Sequence, residues 1–286
     1  MVRVPSHERD ESGDFACVPN DQGVAQASCG STEFPFVPLS LCNDDGAFGS
    51  KAVALAQISR IAEVPPGYVL NSSWVEAFTK SEGDISHIVQ SLSSKLRFAD
   101  FLAVRSSAID EDLASGSKAG KYESNIILNK DLKLDRSIRH VVESLSVTHG
   151  GVIVQAVPMP TVSGVLVSFR NSTPAPIVIE ANWGLCSYVT EGLAGVDRFM
   201  IDDEDRITTR IMGYKRHQYL PLGPGVMLAS VERSCTGISS LTSGQIWKLL
   251  ALRRNLTPIF GAHIDIEWTF SKKNVLYALQ ARLATT

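Results

Sequence analysis

The sequence predicts an α+β fold, with helices concentrated in its first half and strands in its second. Before residue 150, apolar residues recur at spacings of three and four, which is the period of an amphipathic helix. After Gly151, short β-branched runs are separated by Pro, Ser, Asn and Gly, which is typical of strands in a mixed sheet. A chain of 286 residues with 44% hydrophobic content has enough apolar material for a sizeable core.

The first half contains three predicted helices and two short strands behind a polar tail, residues 1–33. The first helix begins at Ser50 and ends before Pro65, and its apolar positions are Val53, Ala56, Ile58 and Ile61. The second and third helices carry their apolar positions at Ile85, Ile88, Val89, Leu92 and Leu96, and at Ile138, Val141, Val142 and Leu145. The runs Tyr68–Leu70 and Phe101–Val104 predict strands.

The second half reads as a sheet followed by one helix and a hairpin. Four β-branched runs predict strands at Gly151–Val157, Gly164–Phe169, Ile177–Ala181 and Arg206–Met212. A helix is predicted over about Gln245–Asn255, ahead of Pro258. We therefore expect an N-terminal lobe, 34–150, and a C-terminal lobe, 151–286.

The C-terminal hairpin is the most informative stretch. Residues 265–282 read DIEWTFSKKNVLYALQAR, in which two alternating runs flank the polar turn 271–274. Placing Phe270 opposite Val275 puts Asp265 opposite Gln280 and Glu267 opposite Ala278. The two-residue period then places four polar side chains on one face, Asp265, Glu267, Gln280 and Arg282, and the apolar ones on the other, Ile264, Ile266, Trp268, Tyr277 and Leu279.

That polar face has two possible meanings. Carboxylate and amide oxygens are ligands that Mg²⁺ accepts, and a guanidinium binds phosphate through two parallel hydrogen bonds. Such a face therefore fits a metal and nucleotide site. The same alternation also fits an edge hairpin whose polar face only meets water, and alternation by itself leaves both open.

The overall charge argues against two classes of partner. The formal net charge is -3, from 27 basic and 30 acidic residues, so no basic surplus would draw the chain to nucleic acid or to anionic lipid. No apolar run approaches the roughly 18 residues of a membrane span, and the N-terminus lacks the apolar centre of a signal peptide. The five cysteines include no Cys-x-x-Cys pair. We expect a soluble, cytoplasmic protein with no membrane or nucleic-acid partner.

Several segments, in this order, resemble one family. They are the glycine-lysine element at 46–51, VPPGYVL, LAVRSSAIDEDLASGSKAG, VIVQAVPMPTVSGVLVS, IEANWGL, DIEWTF and LYALQAR. Together they resemble the N-terminal ATP-binding domain of phosphoenolpyruvate synthase and pyruvate phosphate dikinase, over about Phe36 to Thr285. That domain is similar to ATP-grasp modules, so the resemblance implies an ATP-grasp-like α+β fold in which two lobes enclose a nucleotide cleft.

The resemblance also implies roles for individual residues. Three cations match positions that contact the ATP phosphates and are the predicted catalytic residues, Lys51, Arg105 and Arg282. The pair Glu267 and Gln280 matches the residues that hold Mg²⁺ beside the phosphates. By its position alone, Lys51 also fits a solvated residue at a helix start, an end that prefers acids.

A further segment is implied to border adenine, Gln155, Ala156 and Val157. Adenine recognition needs a backbone donor and acceptor at the base edge with apolar side chains on either side. The same three residues also fit an ordinary core strand. The resemblance thus implies ATP and Mg²⁺ as cofactors.

The sequence departs from the family pattern at several positions. Ser187 replaces the glutamate of the family's GLGE element, which is implied to bind the ribose, and Cys186 replaces the glycine before it. Glu191 could substitute for that glutamate only if the loop shifts. Leu283 replaces the closing proline, while Lys118 and Lys121 add two positive charges to the expected lid over the phosphates.

The six histidines lie outside the Gly-Gly-x-x-Ser-His setting of the family's phosphohistidine. We therefore expect that this chain makes no phosphoenolpyruvate by itself and that its phosphoryl acceptor is external. The predicted function is an ATP- and Mg²⁺-dependent phosphotransferase, a kinase, acting on a small molecule or a partner protein. The alternatives are an ATP-grasp carboxylate–amine ligase and a non-catalytic nucleotide-binding regulatory subunit.

Overall fold

The computed structural model describes residues 35–81, 83–109, 124–129, 132–145, 149–169 and 177–284. The predicted tail, 1–33, and the two lid lysines, Lys118 and Lys121, lie outside these residues. The remainder confirms the α+β prediction, since it contains two large antiparallel sheets, a two-stranded hairpin and seven α-helices within the described part of the chain.

The first sheet has five strands in the order β1-β2-β5-β3-β4. These strands are β1 Phe36–Pro38, β2 Gly67–Leu70, β3 Phe101–Ala108, β4 Ser124–Leu128 and β5 Gly150–Ala156. The helices of this half are α1 Asp45–Phe48, α2 Ser50–Ile58, α3 Ser72–Ser81, α4 Ser86–Lys95 and α5 Leu132–Ser144. The periodicity of the sequence did not predict α3.

The second sheet has six strands in the order β13-β12-β6-β7-β8-β9. They are β6 Pro160–Ser168, β7 Ile177–Trp183, β8 Asp197–Ile201, β9 Ile207–Ile211, β12 Ile264–Ser271 and β13 Leu276–Leu283. The hairpin consists of β10 His217–Leu222 and β11 Gly225–Ser230, and the helices are α6 Ser187–Thr190 and α7 Ser243–Phe260. The chain passes from the first sheet to the second between Ala156 and Pro160, a few residues after the predicted lobe boundary.

The helix predicted ahead of Pro258 is longer at both ends than expected. A capping box begins α7, because the Thr242 hydroxyl accepts from the Gln245 backbone N–H while the Gln245 side chain accepts from the Thr242 N–H. The helix continues past Pro258 and ends at Gly261, whose φ of 87° only glycine adopts readily. The prediction that this helix stops before the proline is therefore wrong.

Helix α2 lies between the two sheets. It contacts β3 of the first sheet and β13 of the second, and one apolar cluster joins it to α7 and to core strands of both sheets. Six of its nine residues are buried, Lys51, Ala52, Val53, Leu55, Ala56 and Ile58. A helix that packs on more than one side is apolar nearly all round. The spacing predicted one buried face, which is less of the helix surface than the structure buries. Ile61, counted on that face, lies beyond the helix and is exposed.

A second apolar cluster covers the other face of the first sheet, where α3, α4 and α5 pack. This cluster contains the predicted apolar positions of the second and third helices. Strands β3 and β5 are therefore covered on both faces. Strand β3 carries one of the predicted phosphate-binding residues.

A buried ion pair links β8 to the loops on either side of the β10–β11 hairpin. Asp197 and Lys215 are both fully buried, and the Lys215 Nζ donates to Asp197 Oδ1 over 2.6 Å. The Gly213 N–H donates to the same oxygen, while the N–H and hydroxyl of Ser240 donate to Oδ2. Four hydrogen bonds offset the desolvation of this carboxylate.

We expect Asp197→Ala to lower the free energy of unfolding by about 3–5 kcal/mol, because it leaves the Lys215 ammonium buried without its counter-charge. Urea denaturation measures this change. The matched control is Glu204→Ala, which removes an exposed partner of Arg206 and should cost less than about 1 kcal/mol. An equal loss in the two variants would contradict the structural role of the buried pair.

Candidate functional site

The hairpin β12–β13 presents the predicted polar face, but in a different register from the predicted one. Asp265 lies opposite Arg282, and Glu267 lies opposite Gln280. The four polar side chains share one face, as predicted, and they are partly or fully exposed, whereas Ile264 and Ile266 are buried on the other. Antiparallel neighbours directly opposite each other have Cβ atoms about 4.5–5.5 Å apart, so Glu267 and Gln280 can bind one ligand together.

A β-bulge explains the register error. Glu267 pairs with Gln280 while the next residue, Trp268, pairs with Ala278, so Leu279 is the extra residue. The buried face of β13 therefore carries Ala278 and Ala281, not the predicted Tyr277 and Leu279. The two alanines are three residues apart, an odd spacing that breaks the two-residue period, and this spacing is the only sequence signal of the bulge.

Arg105 reaches from the first sheet to this bulge. It lies on β3, between β4 and β5, and its Nη1 donates to the Leu279 carbonyl oxygen over 3.0 Å. Its Nη2 donates to Gln280 Oε1 over 2.9 Å. The structure thus brings together three of the predicted site residues, Arg105, Gln280 and Glu267. Reasoning from sequence missed the Leu279 carbonyl, because a backbone acceptor has no residue type to signal it.

Lys51 is anchored beside Arg105. It is 8% exposed at the start of α2, and its Nζ donates over 3.2 Å to the carbonyl oxygen of Ser106, the residue after Arg105. The Ala52 N–H donates to the Ser107 hydroxyl, which ties the first turn of α2 to the end of β3. The alternative of a solvated lysine at this helix start is therefore wrong. Contact of Lys51 with phosphate stays a prediction.

Arg282 is held differently. Its Nε and Nη2 donate to Asp265 Oδ2 over 3.1 and 3.0 Å, across the β12–β13 pair. The guanidinium is exposed on the polar face, two residues along β13 from Gln280. The Asp265 carboxylate offsets part of its charge.

The segment predicted to border adenine is part of the first sheet. The Gln155 side chain is buried and its Nε2 donates to the Pro65 carbonyl over 2.7 Å. The backbone N–H of Ala156 donates to the Pro66 carbonyl, and that of Val157 donates to the Phe101 carbonyl. Both N–H groups are engaged within the protein, so an adenine contact here would need the carbonyl groups as acceptors and a donor from elsewhere. The adenine role stays a prediction.

Among the described residues that depart from the family pattern, Cys186 lies close to the polar face. Cys186 is buried, its thiol lies near the Gly164 carbonyl, and burial together with the nearby Glu267 charge raises its pKa well above 9. It is therefore a neutral thiol at physiological pH. The Ser187 hydroxyl oxygen is buried with no hydrogen-bond partner among the described residues. Glu191, one helical turn later, accepts from the Tyr219 hydroxyl over 3.1 Å and raises the pKa of that phenol.

The donor set suits a hard cation bound together with phosphate. Among the described residues, no three His, Cys, Asp or Glu side chains cluster to form a closed metal cage. Mg²⁺ commonly takes only one or two protein oxygens and completes its shell with water and phosphate oxygens. Glu267 and Gln280, opposite each other on the polar face, provide two such oxygens.

Residues 81–286 match the family described as the pyruvate phosphate dikinase AMP/ATP-binding domain. The chain belongs to this family. Its membership confirms the resemblance stated from the sequence segments.

No described helix is long and apolar enough to cross a membrane.

Three relatives that resemble this chain are much longer proteins than it is. The prodigiosin synthesizing transferase PigC of Serratia marcescens is 31% identical over 203 residues, which are 65% of this chain and 23% of PigC. The rifampicin phosphotransferase of Bacillus subtilis is 28% identical over 64% of this chain and 23% of its own length. The phosphoenolpyruvate synthase of Escherichia coli is 28% identical over 71% of this chain and 30% of its own. The chain therefore spans about a quarter to a third of these relatives.

Among solved structures, the D-Ala:D-Ser ligase VanG of Enterococcus faecalis aligns over 82% of this chain and 51% of its own. The TM-score is 0.40 and the identity is 11%. A likeness of that degree has no bearing on the function of this chain.

Gly49 permits the close approach of α2 to β3 that places Lys51. Its φ is 80°, and a Cβ there would overlap the Ser107 carbonyl oxygen. We expect Gly49→Ala to lower the free energy of unfolding by about 2–5 kcal/mol, the sum of a left-handed backbone and a steric clash. Gly192→Ala is the matched control, since Gly192 has a φ of 71° but no atom within 4 Å of its Cβ position. Equal losses in urea denaturation would show that backbone strain alone operates at Gly49.

Proposed function

We propose that this chain is an ATP- and Mg²⁺-dependent phosphotransferase that acts on a small-molecule or partner-protein acceptor. One observation carries the proposal: Arg105 of the first sheet reaches Gln280 on the polar face of the second, next to Glu267. In a member of an AMP/ATP-binding family, this arrangement would offer a triphosphate one cation and its metal two oxygen ligands. Relatives named as phosphotransferases support the same reaction class.

The cations of the site would act by charge and alignment. Phosphoryl transfer depends mainly on positioning and on neutralising the phosphate oxygens, with little need for acid–base groups. Arg105 would offer a planar fork to the transferring phosphoryl group, Lys51 a compact charge, and Arg282 a second fork at the exposed edge.

Glu267 and Gln280 would hold the metal. A bound Mg²⁺ supplies charge neutralisation at the phosphate oxygens. The carboxylate of Glu267 contributes a charged ligand, while the Gln280 amide contributes a neutral one. Both side chains are only partly buried, so replacing them should remove ligands without opening the core.

The non-catalytic reading is the second candidate. It is favoured by Ser187, whose hydroxyl has no hydrogen-bond partner among the described residues and which stands where the resemblance implies a ribose-binding glutamate. Phosphorus NMR of ATP, Mg²⁺ and protein separates the two readings. A panel of hydroxyl, amine, guanidine and carboxylate acceptors, and a histidine-bearing partner protein, should yield a new phosphorylated species if the chain is a phosphotransferase. Tight ATP binding with no turnover on any acceptor or on water would favour the regulatory reading.

We expect Glu267→Gln to weaken ATP binding in Mg²⁺ by about tenfold or more, because it removes the charged metal ligand. Isothermal titration calorimetry measures the affinity, and the melting temperature should stay within a few degrees of wild type. Glu180→Gln is the control. Val165 of β6 lies opposite Glu267 on one side and opposite Glu180 on the other, so the two glutamates are in one row across the sheet. The Glu180 carboxylate forms an ion pair with Arg198. A wild-type affinity in Glu267→Gln, or an equal loss in Glu180→Gln, would remove Glu267 from the site.

We expect Arg105→Lys to lower turnover on the order of 10²-fold while changing ATP affinity much less. An ammonium cannot reproduce a fork that is aligned on the transferring group. Steady-state release of ADP or AMP from ATP measures this, with water as acceptor if no other is found. Arg210→Lys, on the exposed edge strand β9, serves as the control. Turnover within about twofold of wild type would mean that Arg105 supplies only bulk charge.

A further inference from the structure

Arg105 and Arg282 approach the same polar face, but they are anchored by chemically different groups. Arg282 donates twice to the Asp265 carboxylate, at 3.1 and 3.0 Å. Arg105 donates to two neutral acceptors, the Leu279 carbonyl at 3.0 Å and the Gln280 amide oxygen at 2.9 Å. Among the described residues, Arg105 forms no ion pair with a carboxylate.

Because of this difference, the positive charge of Arg282 is paired with a carboxylate, whereas that of Arg105 is not paired with one among the described residues. A carboxylate anchor offsets the positive charge of a guanidinium, whereas a carbonyl or an amide fixes its direction and leaves the net charge in place. A guanidinium has five N–H donors in a rigid fork. The two neutral anchors use one N–H on each terminal nitrogen, so three remain for an anion.

The β13 bulge makes the neutral anchor possible. The extra residue Leu279 is unpaired in the β12–β13 register, and its carbonyl is the one that accepts from Arg105. The same irregularity places Gln280 directly opposite Glu267 and within reach of the second guanidinium nitrogen. One backbone feature therefore sets both the direction of Arg105 and the position of the predicted metal ligand.

We propose that the Leu279 carbonyl and the Gln280 amide are positioning groups that aim Arg105 at the nucleotide phosphates without pairing its guanidinium to a carboxylate. Gln280 then contributes to ATP binding through Arg105, in addition to any role as a metal ligand. This inference rests on the proposed function, because it concerns the same nucleotide site. It separates Arg105, with full charge, from Arg282, whose charge is already offset.

The experiment measures ATP binding in EDTA, where Gln280 has no metal to ligate. The chain is titrated with ATP, and separately with adenosine, as wild type, Gln280→Leu, Gln280→Glu, Arg105→Met and the double variant Arg105→Met with Gln280→Leu. Gln280→Leu leaves the charge unchanged. Gln280→Glu keeps the acceptor but gives Arg105 a carboxylate anchor like that of Arg282. Gln90→Leu, exposed on α4, is the matched control, and thermal melting confirms that each variant folds.

We expect Gln280→Leu to weaken metal-free ATP binding about tenfold, the size of a hydrogen bond to a charged group. Gln280→Glu should weaken it at least as much, since its carboxylate offsets the Arg105 charge. Adenosine binding should stay unchanged in both variants, and Gln280→Leu should add no further loss in the Arg105→Met background.

Two results would overturn the inference while leaving the proposed function intact. One is metal-free ATP affinity in Gln280→Leu within twofold of wild type, which is the behaviour of a metal ligand alone. The other is an equal loss from Gln280→Leu with and without Arg105. A wild-type chain that binds neither ATP nor adenosine, with or without Mg²⁺, would overturn the proposed function itself and this inference with it.

Discussion

The reach of Arg105 to the β13 bulge is the interaction on which the candidate site depends. The two large sheets share no strand, so nothing in their hydrogen-bond ladders places the polar face of the second sheet relative to β3. Arg105 supplies that link through the Leu279 carbonyl and the Gln280 amide. Because its guanidinium is rigid and its strand is buried in the first sheet, little conformational freedom remains to be lost when an anion binds.

Helix α2 gives the same junction its apolar support. It packs against both sheets in one cluster, so the polar contacts of Arg105 lie beside a shared core. Its only buried charge is Lys51, whose desolvation is offset in part by the Ser106 carbonyl. The helix thus fixes a lysine next to Arg105, and Gly49 allows the close approach that this requires.

One departure from the family pattern lies beside the polar face, since the buried Cys186 thiol is near Glu267. The Ser187 hydroxyl is buried with no hydrogen-bond partner among the described residues. The cation and metal-ligand positions, by contrast, keep the expected residue types. Ser187, at the position for which the resemblance implies ribose binding, does not.

Local sequence patterns predict the fold class, four of the seven described α-helices and the polar face of the hairpin. These features follow from the spacing of apolar residues. Where one face of an element is buried, apolar residues recur every two positions in a strand and every three to four in a helix. The sequence also carried the segments that identify the family. It did not reveal the engaged N–H groups of Ala156 and Val157, because their acceptors lie far away along the chain. Helix α3 was missed although Asn71 caps it and Val75 and Phe78 are buried at helical spacing.

The register of β12 and β13 depends on contacts with distant parts of the chain. The bulge at Leu279 lies where the outer edge of β13 bonds to other parts of the chain. The Ala278 N–H donates to the Glu63 carbonyl, and the Leu279 carbonyl accepts from Arg105. A two-residue period predicts the faces of a strand that pairs with a regular neighbour. It does not predict hydrogen bonds that the strand backbone forms with other parts of the chain. The pairing of Glu267 with Gln280 and the anchoring of Arg105 therefore follow from long-range packing.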